Sequence, residues 1–274
     1  MEPSGAFRAG SGEPMVLVHG FSGVASLWRP IVAPLQDSFD MLGVALAGHW
    51  GGQPLPAGTP VSVNALVDAV ERDMDGAGFE TAHIVGNSLG GWISLELARR
   101  GRARSVVALA PAGGWERSSA EERRLERLFT RSHRMTGLAL PYAPRLVTRP
   151  RMRRLILGQA MARGERLSPA AALETIRGSY ECPIYFELKE AVERDGPPDT
   201  FEGISCPVLV AWGTKDRILP MDRYSGRIRR MVPAARWLEF PGLGHVPMVD
   251  DPALIATTIA DFVAQAQATQ TIPA

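Results

Sequence analysis

The sequence predicts an α/β fold: a mainly parallel central sheet flanked by helices, interrupted by an inserted helical segment. Three observations carry this. Short β-rich runs alternate with helical patterns along the 274 residues. The strand-to-helix connection around Ser88 is tight and glycine-rich, with Gly86, Gly90 and Gly91. One long stretch, residues 114–198, has no β run. Alternation of strand and helix argues for parallel strands covered on both faces. The length suits one large domain with an insertion. The predicted boundaries are a core of residues 1–113 and 199–274 and an insertion of 114–198.

Met15-Val16-Leu17-Val18 is the first clear strand, followed by a helical stretch from Ser26 to Leu35 and a second strand at residues 39–46. A Gly/Pro-rich loop covers 47–60. Leu66, Val70 and Met74 recur at i+4, with Val63 and Val67 beside them, so 62–77 forms an amphipathic helix. A strand at 82–86 runs into a helix from Leu89 to about Arg100. Further strands fall at 105–110, 207–212 and 235–240, and a last helix at 252–266. The tail QATQTIPA is expected to fray.

A net charge of +1 gives no electrostatic basis for a nucleic-acid partner. Cys182 and Cys206 each precede proline and lie far apart, which fits free thiols better than a disulfide framework or a zinc site. The N-terminus lacks the basic and apolar regions of a signal peptide, and no apolar run is long enough to span a bilayer, so a cytoplasmic location without integral membrane association is expected. Thirteen arginines against four glutamates between Arg117 and Arg166 read as solvated helix faces before an anion-binding lid.

The chemistry is concentrated in AHIVGNSLGGW, residues 82–92. Gly86-Asn87-Ser88-Leu89-Gly90 fits G-x-S-x-G between a strand and a helix, where a strained turn thrusts the serine hydroxyl out beyond the sheet. Small residues are needed where backbones nearly touch. Serine needs a base. His245, in FPGLGHVPMVDDP, stands in a late loop past a strand and follows a glycine. His19, His49, His83 and His133 read as structural. The base needs an orienting carboxylate. Asp216, in VLVAWGTKDRILP, stands just past a strand, whereas Asp222, Asp250 and Asp251 read as helix-capping or first-turn acids. The backbone N–H groups of Phe21, in HGFSG, and of Leu89, at a helix N-terminus, are the candidate oxyanion donors.

Taken together, His19-Gly20-Phe21, the elbow from Gly86 to Gly91, Gly213-Thr214-Lys215-Asp216 and Gly244-His245 resemble the α/β-hydrolase superfamily over nearly the whole chain. The resemblance implies a serine hydrolase with a helical cap, esterase- or lipase-like, using Ser88, Asp216 and His245 on a small hydrophobic ester-like substrate without metal or organic cofactor. Such chains usually carry two strands before the His-Gly loop, so an edge strand is expected to be missing or very short here. Haloalkane dehalogenases and epoxide hydrolases of this superfamily use an aspartate nucleophile, and position 88 is serine. Meta-cleavage C–C hydrolases share a GNSLGG elbow but carry Trp after the catalytic histidine, where Val246 stands. Cofactor-free haloperoxidases and slow-turnover ligand receptors of the same fold are further alternatives. Candidate pocket walls are Trp28, Tyr180, Tyr185, Phe186 and Val246, with Phe21. Large apolar residues in the insertion favour a hydrophobic acyl or alcohol moiety.

Overall fold

The computed structural model describes residues 4–270. Seven strands form one sheet: β1 (Phe7–Ala9), β2 (Glu13–Val18), β3 (Phe39–Val44), β4 (Ala82–Asn87), β5 (Ala103–Leu109), β6 (Val208–Gly213) and β7 (Arg236–Phe240). Their order is β1-β3-β2-β4-β5-β6-β7, and every pairing is parallel except β1 with β3. The expected edge strand is therefore present and only three residues long. It pairs Phe7 with Gly43, where any Cβ would strike the Phe7 ring at 2.2 Å.

Alternation along the strands divides the core. Val16, Val18, Ile84, Val106 and Val210 face one helical layer, and Met15, Leu17, Val85, Val107 and Leu209 the other. Apolar residues on both faces are what a covered parallel sheet requires.

The chain moves from β2 outward to β3, then returns to β4 and proceeds the other way. The order of connection reverses between β2 and β4, and such a reversal opens a crevice at the carboxyl ends of parallel strands. The segments following β2, β4, β6 and β7 all emerge on that edge.

The stretch predicted as helical from Ser26 to Leu35 is instead a 3₁₀ segment, Ala25–Ile31, and a single turn, Val32–Leu35. Pro30 and Pro34 remove the donors an unbroken α-helix needs. Helix Val63–Gly76 starts at Ser62, whose side chain accepts the Ala65 N–H. Between β5 and β6 the principal helices are Ala120–Ala139, Pro150–Ile156, Pro169–Tyr180 and Tyr185–Asp195, with no strand. Ser119 and Ser168 cap the first and third of these. The last helix, Pro252–Gln270, runs four residues past the predicted end, so Gln267–Gln270 are helical rather than frayed; residues 271–274 lie outside the described residues. Among the described residues no helix is long and apolar enough to cross a membrane.

The arginine surplus is only partly solvated. Arg117 donates to the Arg194 and Asp195 carbonyls, and Arg124 to those of Arg217 and Ile218. Arg153 is buried and donates to the Val147 and Glu165 carbonyls. These guanidinium groups hold backbone carbonyls, within the insertion for Arg117 and Arg153 and in the segment after β6 for Arg124, a task suited to a forked donor.

Candidate active site

Ser88 sits between β4 and helix Leu89–Arg99 with φ 58° and ψ −118°, a conformation costly for a residue with a side chain. The surroundings impose it. The Ser88 N–H donates to the Leu109 carbonyl at 2.9 Å, and the Ser88 carbonyl accepts from Ala112 and Trp92. The glycines leave room for the turn: a Cβ on Gly86 would lie 2.1 Å from the Gly90 carbonyl oxygen, and one on Gly90 the same distance from that of Val18.

His245 follows β7 and is buried. Its Nδ1 is 2.6 Å from Asp216 Oδ2. The other Asp216 oxygen accepts the N–H of Ile218 at 2.9 Å and of Leu219 at 2.8 Å. The turn carrying Asp216 is stitched to the loop carrying His245: Lys215 N–H donates to the Leu243 carbonyl and Thr214 N–H to that of Phe240. With Nδ1 turned to the carboxylate, Nε2 is the nitrogen left for proton transfer. Ser88 and His245 line the same cavity, of about 170 Å³, together with Gly20 and Phe21.

The Leu89 N–H opens a helix, and the Phe21 N–H stands in the loop after β2. Neither has a hydrogen-bond partner among the described residues. Gly20 carries this loop against the serine, since a Cβ there would be 3.0 Å from Ser88 Cβ. His19 holds the loop: Nε2 accepts the Leu46 N–H at 3.1 Å, so Nδ1 carries the proton and donates to the Gly20 carbonyl at 2.9 Å. Burial pushes His19 down to about 4 and His49 to about 3, so both stay neutral. His83 bonds Ser105 and Glu13 at the start of β4, remote from the strands' carboxyl ends, and His133 stacks on Tyr180 in the insertion.

The pocket-wall assignments divide. Phe21, Tyr185 and Val246 line the cavity. Trp28 does not: it is fully buried in the core layer beneath the sheet. Tyr180 and Phe186 do not line it either; both are exposed and gather around the His133 ring, at 4.7 and 4.9 Å between centroids. Residue type marks an aromatic as large, not as inward-facing.

Two residues were not foreseen. Asn87 Nδ2 donates to the His245 carbonyl at 2.8 Å and to that of Leu109 at 3.1 Å, tying the residue before the serine to the histidine. A polar residue closing an apolar strand was its signal. Asp250, read as a capping acid, is fully buried and turned back on the histidine loop. It accepts the N–H of Gly244 at 2.6 Å and, from the insertion, those of Ala162 at 3.0 Å and Arg163 at 2.7 Å. Asp251 does cap, accepting the Leu254 N–H, and Asp222 lies in the first turn of helix Met221–Met231. Cys182 and Cys206 are both free.

Comparison with known proteins agrees with this geometry at the level of the fold. Residues 15–258 match the model of the alpha/beta hydrolase family. The chain is 37% identical over 205 residues to a Mycobacterium tuberculosis protein named epoxide hydrolase EphH, covering 74% of this chain and 95% of that one. It is 27% identical to a 2-hydroxymuconate semialdehyde hydrolase from a Pseudomonas species, over 95% of this chain and 90% of that one. Among solved structures, a thermophilic esterase from Thermogutta terrifontis superimposes with a TM-score of 0.71 at 20% identity, covering 95% of this chain and 93% of the esterase.

Proposed function

The chain belongs to the alpha/beta hydrolase family, and on that premise we propose that it is a serine hydrolase cleaving a carboxylic ester of a small to medium hydrophobic substrate, with Ser88, His245 and Asp216 as its triad and the helical insertion as a cap. The observation that carries this reading is the buried 2.6 Å contact between Asp216 and His245, with His245 and Ser88 on one cavity wall.

The reaction follows from the groups available. His245 Nε2 takes the Ser88 proton as Oγ attacks the ester carbonyl carbon. The Phe21 and Leu89 N–H groups receive the negative oxygen, and each such donor is worth roughly 10²–10³ in rate. The C–O bond to the alcohol breaks as His245 returns the proton to the departing oxygen. Water, deprotonated by His245, then releases the acid and restores the serine.

The choice of nucleophile favours this over the activity in the tuberculosis relative's name. A serine that opened an epoxide would be left as an ether, which His245 and water have no means to cleave. A serine acylated by an ester is released by the same machinery that formed it.

Wild type and Ser88→Ala are compared on p-nitrophenyl acetate, butyrate and octanoate, on an epoxide, and on a vinylogous 1,5-diketone that needs C–C cleavage. Ester turnover lost in Ser88→Ala is the expected result. Turnover confined to the epoxide or the diketone, or ester turnover that survives Ser88→Ala, overturns the proposal.

A further inference from the structure

Two chambers meet at Ser88. One, of about 90 Å³, is walled by Leu89, Trp92, Trp115, Leu125, Leu188 and Val192. Its charged lining residues include Lys189, which pairs with Glu193 at 2.6 Å and Glu126 at 3.8 Å. The second, the 170 Å³ cavity, has His245 in its wall, with Ser132, Thr136, Gln159, Thr175 and Ser179. Phe21, Phe129 and Ile218 line both. Phe21 and Phe129 meet edge to face with centroids 5.2 Å apart, which makes them the partition above the serine.

We propose that the chambers divide the substrate at its ester bond: the apolar chamber takes the acyl chain, and the polar chamber takes an alcohol that carries further hydroxyl groups. The assignment rests on the ester-hydrolase reading and on where the proton must go. His245 gives its proton to the departing alcohol oxygen, so that oxygen lies on the His245 side of the carbonyl carbon. His245 lines only the polar chamber. The alcohol therefore extends there, and the acyl substituent is left the chamber beside Leu89. The linings agree with this division. Ser132 and Thr136 lie one turn apart on one helix face, and neither these hydroxyls nor the Gln159 amide has a hydrogen-bond partner among the described residues. Such groups suit a polyol-like alcohol. Trp92, Leu125 and Leu188 offer an alkyl chain apolar burial.

The test uses two variants that fill one chamber each, Val192→Trp and Thr175→Trp. Two ester series are measured: hexanoyl against acetyl with methanol as the fixed alcohol, and glyceryl against methyl with acetate as the fixed acid. Val192→Trp is expected to lower the hexanoyl-to-acetyl ratio of kcat/KM at least tenfold, with the glyceryl-to-methyl ratio within twofold of wild type. Thr175→Trp should do the reverse. The opposite pattern, or both ratios falling in both variants, overturns the assignment. Hexanoate binding, followed by thermal shift in the Ser88→Ala background, separates this from failure of the ester reading. If wild type cleaves no ester, binding lost with Val192→Trp and kept with Thr175→Trp leaves the apolar chamber assigned to the acyl tail; any other pattern removes it.

Discussion

Asp216 Oδ2 lies 2.6 Å from His245 Nδ1 while Asp216 Oδ1 accepts two backbone N–H groups, so each oxygen of one carboxylate has a separate task. Asp216→Asn divides those tasks. The amide oxygen can keep the Ile218 and Leu219 N–H groups, which leaves an NH₂ facing His245. The imidazole must then accept at Nδ1 and carry its proton on Nε2, the wrong tautomer for a base. We expect kcat to fall by roughly 10⁴-fold, with the melting temperature little changed. A variant retaining a tenth of wild-type kcat would show that Asp216 does not orient the base.

Ser88 stores strain that its removal should release. At φ 58° and ψ −118° a Cβ is unfavourable and glycine is not. Ser88→Gly and Ser88→Ala should both lose hydrolysis. In urea unfolding Ser88→Gly should be the more stable of the two by roughly 1 kcal/mol. Equal stabilities would mean the strain is no larger than the extra chain entropy that glycine loses on folding.

Asp250 joins two parts of the site. Its carboxylate holds Gly244, next to His245, and the Ala162–Arg163 backbone, next to cavity residues Ala160 and Met161. Val246 N–H adds a bond to the Ala160 carbonyl at 3.0 Å. Asp250→Asn presents an NH₂ to at least one of three N–H donors, and losing a buried bond to a charged group costs about 1.5–3 kcal/mol. Stability should fall by that order. kcat/KM should fall about tenfold, with KM rising because the cavity wall loosens with the histidine loop. Wild-type KM in a destabilised Asp250→Asn would mean the carboxylate supports the fold alone.

The strands, and the positions of Ser88, Asp216 and His245 at their ends, were legible because their signals are local. Val-Leu-Val runs, a G-x-S-x-G turn and a glycine before His245 each declare themselves within a few residues. Parallel topology then brings Ser88, Asp216 and His245 to one edge. What stayed hidden depends on contacts across the chain. The partition between chambers needs Phe21 and Phe129, 108 positions apart, to meet. Asp250 looked like a helix acid because its partners lie 87–88 positions away as well as nearby. Trp28, Tyr180 and Phe186 do not line the cavity because their facing is set by how the insertion and the 3₁₀ segment pack.

The buried histidines make stability fall on the acid side of neutrality, starting above the range in which the carboxylates titrate. His19 is pushed down to about 4 and His49 to about 3, in both cases mainly by burial, from an ordinary value of 6.5. His83 is lowered as well, burial being the largest cause. Below pH 6.5 the unfolded chain takes up protons that the folded chain refuses, so the unfolded state is favoured as pH falls. The stability is fully present above about pH 6.5 and declines toward pH 4 for His19 and toward pH 3 for His49. Glu13 and Asp40 are held below their ordinary values of 4.5 and 3.8 by His83 and Arg8, so their contributions are lost only as pH falls through those values, which leaves the upper part of this window to the histidines. At about 1.4 kcal/mol per unit, each of His19 and His49 accounts for roughly 2 kcal/mol between pH 7 and pH 5. His49 Nε2 has no hydrogen-bond partner among the described residues, so His49→Gln removes a titrating ring without cutting a bond at that atom. Urea unfolding at pH 7 and pH 5 should show the variant losing roughly 2 kcal/mol less than wild type. An identical loss in both would mean His49 is protonated in the folded state and contributes nothing to the slope.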